Sequence, residues 1–332
     1  MKTQKTIIVA LLAFAIALPS IAQQGQRRSQ QGQGTARFAP PAIKRDVVQK
    51  NIGLQLYSLR NDIGEKFENI DEVIKKVAEM GYKYVETANY SDGKIYGFSP
   101  AEFKAKLAAN GLFALACHAG RSLPAAFLPA DVTQANWNEI WAWWDQCIAD
   151  HKAAGFKYII TASMPQPETL ESLKVYCDYY NQIGEKCNAA GLKFGYHNHA
   201  FEFEKKYPDG TRNERTGARN EIAMYDFMLA NTDPSKVFFE MDVYWTVMGK
   251  RSPVDMFKKY PGRFLALHIK DDKELGESGM VGFDAIFKNI EPSGAKYLVV
   301  EVEKYNLPRF ESVKASLDYL NNADFVKADY SK

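Results

Sequence analysis

Four of the chain's five histidines close β-like runs, and acidic residues close others. His118 ends LFALACH, His197 and His199 end LKFGYHNH, and His268 sits in FLALHIKD. Glu240 and Asp242 end VFFEMD, and Glu301 and Glu303 end YLVVEVE. Residues i and i+2 of a strand share a face. His197 therefore sides with His199, Glu240 with Asp242, and Glu301 with Glu303. Imidazoles and carboxylates gathered at inner strand ends must be paired, metal-bound or hydrated, because an isolated buried charge is too costly. A mixed His/Asp/Glu set suits Mn2+, Co2+, Zn2+ or Fe2+, whereas Mg2+ prefers an all-oxygen site. No local motif of the HExxH kind is present, so the metal reading rests on convergence of separate strands. The competing reading is a hydrated polar mouth that binds a ligand without metal.

The elements that must bring these residues together are legible as alternation. Eight runs rich in Val, Ile, Phe, Tyr and Leu span 51–57, 82–88, 112–118, 156–162, 192–199, 236–242, 263–270 and 295–303. Such composition suits buried parallel strands. The segments between them have helical spacing. Ile70, Val73, Ile74 and Val77 share one face and Gly81 stops the helix; Ser99 and Pro100 stand as N-cap and first helical residue. Eight strand–helix units predict an α/β chain folded as a single (β/α)8 TIM barrel, with all strand C-termini at one mouth. An open doubly wound sheet would want a phosphate-binding glycine loop after strand one, and LYSLRNDIG offers none. Two polar segments, 205–221 after strand five and 271–284 after strand seven, read as loops on the active face, either lids or passive insertions. Trp137, Trp141 and Trp144 recur at helical spacing and read as helix–barrel packing. His151 continues that stripe as a packed histidine.

Outside the repeat, Lys2 and Lys5 precede a short apolar run and a Ser20-Ile21-Ala22 cleavage pattern. This predicts a signal peptide over 1–22, then a flexible Gln/Gly/Arg/Pro-rich tether over 23–48, with the barrel over 49–328. The expected location is periplasmic or secreted, with no membrane span after signal cleavage. The net charge of +2 comes from interspersed charges and forms no nucleic-acid stripe. The four cysteines lack a CxxC spacing and read as buried free thiols. Cys177 and Cys187 lie ten residues apart on one helix, roughly 15 Å along its axis, too far to pair.

From residue 51 to about 325 the chain resembles the sugar phosphate isomerase/epimerase superfamily with its xylose-isomerase-like TIM barrel. The likeness rests on LQLYSLR, GYKYVET, GYHNHAFEF, FFEMDVYW, LALHIKD and VVEVE. It implies one divalent ion, Mn2+, Co2+ or Zn2+ before Mg2+, held by residues from strands five to eight. Asp242, His268 and Glu301 match the family's ligands directly. At strand five many members read Glu-Asn-His where this chain reads His197-Asn198-His199, so His197 stands in the usual carboxylate position.

The resemblance also implies the chemistry. A carbonyl and a neighbouring hydroxyl on one metal acidify the carbon proton between them. Removal of that proton gives an enediolate; its return elsewhere isomerises or epimerises a sugar, and loss of a β-substituent eliminates. Candidate bases are His199, Glu86 at the end of strand two, and Glu303, with Lys270 placed to steady the enediolate oxygen or to pair with a carboxylate. Glu240, two residues deeper than Asp242, reads as a structural partner. Tyr57, His118, Phe201 and Trp245 are candidate sugar contacts. The expected partner is a small carbohydrate, unphosphorylated or oxidised, and no nucleic acid. The leading expectation is an exported metal-dependent isomerase or epimerase. A metal-dependent lyase or dehydratase on keto-glycosides or keto-cyclitols comes second, because an imidazole replaces one of the paired carboxylates. A non-catalytic sugar-binding protein is the third reading.

Overall fold

Each of the eight hydrophobic runs forms one parallel strand of a closed barrel. The computed structural model describes residues 48–123 and 134–332. The expected signal peptide, and all but the last residue of the expected tether, lie outside the described residues. In chain order the strands are β1 (Gly53–Gln55), β2 (Tyr84–Thr87), β3 (Phe113–His118), β4 (Tyr158–Thr161), β5 (Lys193–His197), β6 (Lys205–Arg212), β7 (Arg219–Ala223), β8 (Val237–Asp242), β9 (Ala266–Lys270) and β10 (Tyr297–Glu301). The barrel order is β1-β10-β9-β8-β5-β4-β3-β2, closed by β2 on β1, while β6 and β7 form a separate antiparallel pair. The helices are α1 (Arg60–Ile63), α2 (Ile70–Met80), α3 (Pro100–Ala109), α4 (Gln134–Ala154), α5 (Leu170–Ala190), α6 (Met224–Asn231), α7 (Val243–Met248), α8 (Pro253–Lys259), α9 (Phe283–Lys288) and α10 (Arg309–Asn322).

Local signals act where the sequence places them. Ser99 caps α3 in a reciprocal box with Glu102, behind Pro100. Gly81 ends α2 in the left-handed conformation. Trp144 is fully buried, Trp137 and Trp141 pack half-buried beside it, and His151 is buried with its Nδ1 2.6 Å from the Cys147 carbonyl. All four cysteines are free and buried.

Strand alternation divides the barrel cleanly. Leu54, Val85, Phe194, Phe239, Leu267 and Val300 pack outward in the main core beneath the helices. Tyr84, Tyr158, Phe238, Ala266, Tyr297 and Val299 fill the interior. Large rings there need small neighbours. A Cβ on Gly53 would lie 2.1 Å from the Tyr84 ring, and one on Gly195 would lie 2.6 Å from the Phe238 ring. This apolar plug closes the lower barrel, so the polar residues further along each strand sit above a dry floor.

Two elements differ from expectation. Residues 205–221 are not an irregular loop: they form most of the β6–β7 hairpin, anchored by buried Tyr207, whose hydroxyl donates to the Pro167 carbonyl at 2.7 Å. The segment's single large apolar anchor is too sparse to read as a strand period. Strand five also stops at His197, so Asn198 and His199 lie beyond β5 and His199 is not placed by alternation. Segment 271–284 is pinned by its own side chains. Asp271 accepts from the backbone N–H groups of Asp272 and Gly276 and from the Ser278 hydroxyl, and Glu274 accepts from Asn306, Leu307 and Ser312.

Candidate active site

The inward positions above the plug are Gln55, Glu86, His118, His197, Glu240, Asp242, His268, Lys270 and Glu301. All but His118 are almost fully buried. His118 reaches the interior through a bulge. The β2–β3 register shifts between Val85 and Glu86, and both Leu115 and Ala116 face the inner cluster. Without that extra residue the phase would turn Cys117 inward and His118 toward the helices.

Two clusters share His268. In the upper one, single ligand atoms of Asp242, His268 and Glu301 lie within 4.8 Å of one another. Asp242 ends β8 and caps α7, accepting from the Trp245 backbone N–H through Oδ1 at 2.8 Å. That fixes the carboxylate and leaves Oδ2 buried without a partner, as is His268 Nδ1, 3.4 Å from Glu301 Oε2. Lys270 Nζ closes this cluster, 2.8 Å from Glu301 and 3.0 Å from Glu303. In the deeper cluster, His118 Nε2, His197 Nδ1 and His268 Nε2 lie 3.0, 3.2 and 3.2 Å from Glu240 Oε2. Glu86 Oε1 touches His118 and His268 at 2.9 and 2.6 Å and accepts from Gln55 at 2.7 Å.

The expected ligand set is divided between the two clusters. His197 was placed with Asp242, His268 and Glu301, yet it sits with His118 and Glu240. The reason is register: His197 pairs with Glu240, whereas Asp242 pairs with His268 one step higher. The level matching Asp242 on strand five falls at residue 199, where the strand has already ended. Glu240, expected only as a partner, is the hub of the deeper cluster. Glu86, expected as a base, is wholly buried and engaged by three residues.

The electrostatics follow from burial and these pairings. Burial pushes Asp242 up to about 7, against the pull of Lys270 and His268. Burial also pushes Glu301 up, but Lys270 and His268 outweigh it and hold the carboxyl below the usual range. Burial would lower His118, but Glu86 and Glu240 raise it to about 9; the same two carboxylates raise His268. His197 is held well below an ordinary imidazole by burial and then by His268 and His118. His199 is lowered by burial and next by Lys270.

At the mouth, the His199 ring lies 5.8 Å from Trp245 and 6.4 Å from Phe201, with its Nδ1 buried and unpartnered. Its backbone N–H donates to Glu202 Oε2 at 2.9 Å, and Tyr196 donates to Glu202 Oε1 at 2.9 Å. Glu202, pushed up to about 7 by burial, has no signal in the sequence: it lies between Phe201 and Phe203 in a 3-10 turn. Tyr57 is 41% exposed, its ring under Arg60 at 4.2 Å. A cavity of about 730 Å³ beyond Phe201 is lined by Lys205, Lys206, Met248 and Lys250 among others, and by none of the buried carboxylates or imidazoles.

A closed parallel barrel with imidazoles and carboxylates converging at its C-terminal strand ends defines the class, a TIM barrel whose site occupies the usual mouth. The profile of the xylose isomerase-like TIM barrel family matches residues 74–323, and the chain belongs to that family. Two solved sugar phosphate isomerase/epimerases from Parabacteroides distasonis ATCC 8503 are similar to it. One is 37% identical over 84% of this chain and 100% of that one, with a TM-score of 0.72. The other is 32% identical over 86% and 98%, with a TM-score of 0.74. An L-ribulose 3-epimerase shares the fold at 14% identity over 82% of this chain and 93% of that one, with a TM-score of 0.61. A comparison with curated proteins returned no match.

Proposed function

We propose that this chain is a metal-dependent isomerase or epimerase that moves a carbon-bound proton of a carbohydrate through an enediolate. The observation that carries the reading is the upper cluster: Asp242 Oδ2 and His268 Nδ1, buried and unpartnered, facing Glu301 below a mouth that holds His199 and Lys270. Donors of this kind fit a divalent ion, and Asp242, His268 and Glu301 would hold it. Bound there, the ion would polarise a sugar carbonyl and the neighbouring hydroxyl and acidify the proton between them.

The protein's own groups supply the remaining work. His199 is kept neutral by burial and by Lys270, so its Nδ1 can accept the carbon proton. The Lys270 ammonium, kept charged by Glu301, Asp242 and Glu303 against the effect of burial, can donate to the oxygen where negative charge develops. Trp245 and Phe201 flank His199 and offer apolar faces to the C–H face of a ring. Glu303, 31% exposed and 3.0 Å from Lys270, would be the group that returns a proton. Lys270, the ammonium of the upper cluster, is already engaged by Glu301 and Glu303, which leaves it ill-suited to grip the phosphate of a phosphorylated substrate. An unphosphorylated or oxidised sugar fits the site better.

The test is proton NMR in D2O, with Mn2+- or Co2+-loaded protein and a panel of free ketoses and keto-glycosides. Solvent deuterium at the carbon next to the carbonyl, lost in Asp242→Asn, is the expected result. An unsaturated product would assign elimination in place of epimerisation. Sugar binding without any exchange, unchanged by chelator, would make the chain a binding protein.

A further inference from the structure

The cavity beyond Phe201 deepens that reading and rests on it. We propose that this cavity is a second subsite, built to hold a carboxylate, and that the chain acts on glycosides whose remote unit is acidic.

Position comes first. Two elements run from His199 to the cavity. In the 3-10 turn, Phe201 stacks 6.4 Å from the His199 ring and Phe203 lines the cavity. On α7, Trp245 lies 5.8 Å from His199 and Met248 lines the cavity. Residues i and i+3 share a helix face, and three residues advance about 4.5 Å along the axis, the scale of a single sugar ring. A ring seated over His199 therefore carries the next unit of a glycoside into the cavity. Its volume of about 730 Å³ is that of a small-molecule site. The floor is apolar and close-packed: a Cβ on Gly249 would lie 2.5 Å from the Phe203 ring.

The rim is cationic. Lys205, Lys206, Lys250 and Arg251 line the cavity against Glu204. Among the described residues Lys205 and Lys250 have no carboxylate partner, and Lys206 rests over the Tyr207 ring at 5.2 Å. Arg251 is loosely held, 3.5 Å from Asp226 Oδ2, while Asp226 Oδ1 takes Lys259 at 2.7 Å and Tyr260 at 2.8 Å. Like charges on one rim repel each other, and a bound anion relieves that repulsion. Lys250 also stands in the left-handed conformation, φ 59°. It follows α7, and the N–H groups of Lys250 and Arg251 donate back to Val247 and Thr246 at 2.9 and 3.0 Å. Glycine is the usual residue at this point of a helix end, and a lysine there bears a backbone cost. That cost places a cation on the rim.

The same turn selects the anion. Phosphate sites recruit backbone N–H groups. Here the N–H groups of Gly249, Lys250 and Arg251 all donate to α7 carbonyls. What remains is side-chain cations around an apolar floor, which suits a singly charged carboxylate on a sugar.

The experiment is titration calorimetry on full-length protein kept metal-free with chelator. The probes are cellobiose, cellobiuronic acid (the same disaccharide with one hydroxymethyl group oxidised to a carboxylate) and cellobiose phosphorylated at that hydroxymethyl group. The acid should bind about tenfold tighter than cellobiose, the effect of a few exposed ion pairs, and added salt should shrink the difference. Lys250→Gly should cut the preference to a few-fold while the melting temperature holds or rises, because glycine suits the left-handed position. Lys205→Thr combined with Lys250→Gly should abolish it. Equal affinity for the acid and cellobiose in the wild type, no binding of either, or a preference untouched in the double variant overturns the subsite. Tighter binding of the phosphate ester than of the acid overturns the carboxylate assignment. Because binding is read without turnover, the two proposals fail separately. Acid preference without deuterium exchange on any sugar keeps the subsite and overturns the proposed chemistry; exchange on neutral keto-glycosides without acid preference overturns the subsite alone.

Discussion

His199 and His268 carry the same side chain, yet their surroundings give them different work. His268 is enclosed by carboxylates that overcome burial and favour its charged form. His199 lies beside the Lys270 ammonium and two aromatic rings, which favour the neutral form. A neutral imidazole with a free nitrogen is a base. Replacing it by glutamine should lower kcat by roughly 10²- to 10⁴-fold while leaving the melting temperature nearly unchanged, which steady-state kinetics and calorimetry would check. The pH profile follows from the direction of the shift. His199 sheds its proton at lower pH than an ordinary imidazole, so activity should persist further into acid before protonation removes the base. An acid limb in the range of an ordinary histidine, or one that survives His199→Gln, would count against this role.

At the scale of elements, two positions make sharp predictions. Gly195 on β5 leaves room for the Phe238 ring, and an added Cβ would meet it at 2.6 Å. Gly195→Ala should therefore destabilise by about 1–3 kcal/mol through overpacking, read from urea unfolding. His151 on α4 is buried, and burial holds its pKa down at about 4. The unfolded chain titrates near the ordinary value of about 6.5. Between those values the unfolded state binds the extra proton, so stability falls as pH drops through that window, by roughly 3 kcal/mol at its lower end. His151→Gln has its own cost at neutral pH. Its unfolding free energy should nonetheless change less between pH 7 and pH 4.5 than that of the wild type; an equal change would place the acid sensitivity elsewhere.

For the whole molecule, closure of the sheet turns eight separate strand ends into one site. The barrel leaves no open edge in its main sheet, and the inner aromatic plug gives the polar residues a floor. Among the described residues no helix is long and apolar enough to cross a membrane. The proposal for the N-terminal region is export: a chain expressed with its first 22 residues intact should appear in the periplasm or medium with Gln23 at or near its new N-terminus. Cell fractionation and N-terminal sequencing would check this, and an uncleaved chain in the cytoplasm would refute it. Removing residues 1–45 should leave the barrel's thermal unfolding unchanged, since the barrel has its own continuous core.

Periodicity in the sequence was enough to define eight strand–helix units, the inward side of most strands and the mouth where chemistry-bearing residues gather. Those are local properties: alternation sets a face, and a capping residue or glycine sets an end. Depth along the barrel axis was not local. His197 and Asp242 each read correctly as inward, but their levels depend on how β5 and β8 slide against one another, and that register is set by closing the whole sheet. The bulge that turns His118 inward is likewise a property of β3 against β2. Glu86 and Glu240 became the centre of a buried network only once six strands, β1, β2, β3, β5, β8 and β9, came together. Sequence thus chose the residues and the face they share; tertiary structure decided which of them touch, because contact across a barrel is fixed by inter-strand register.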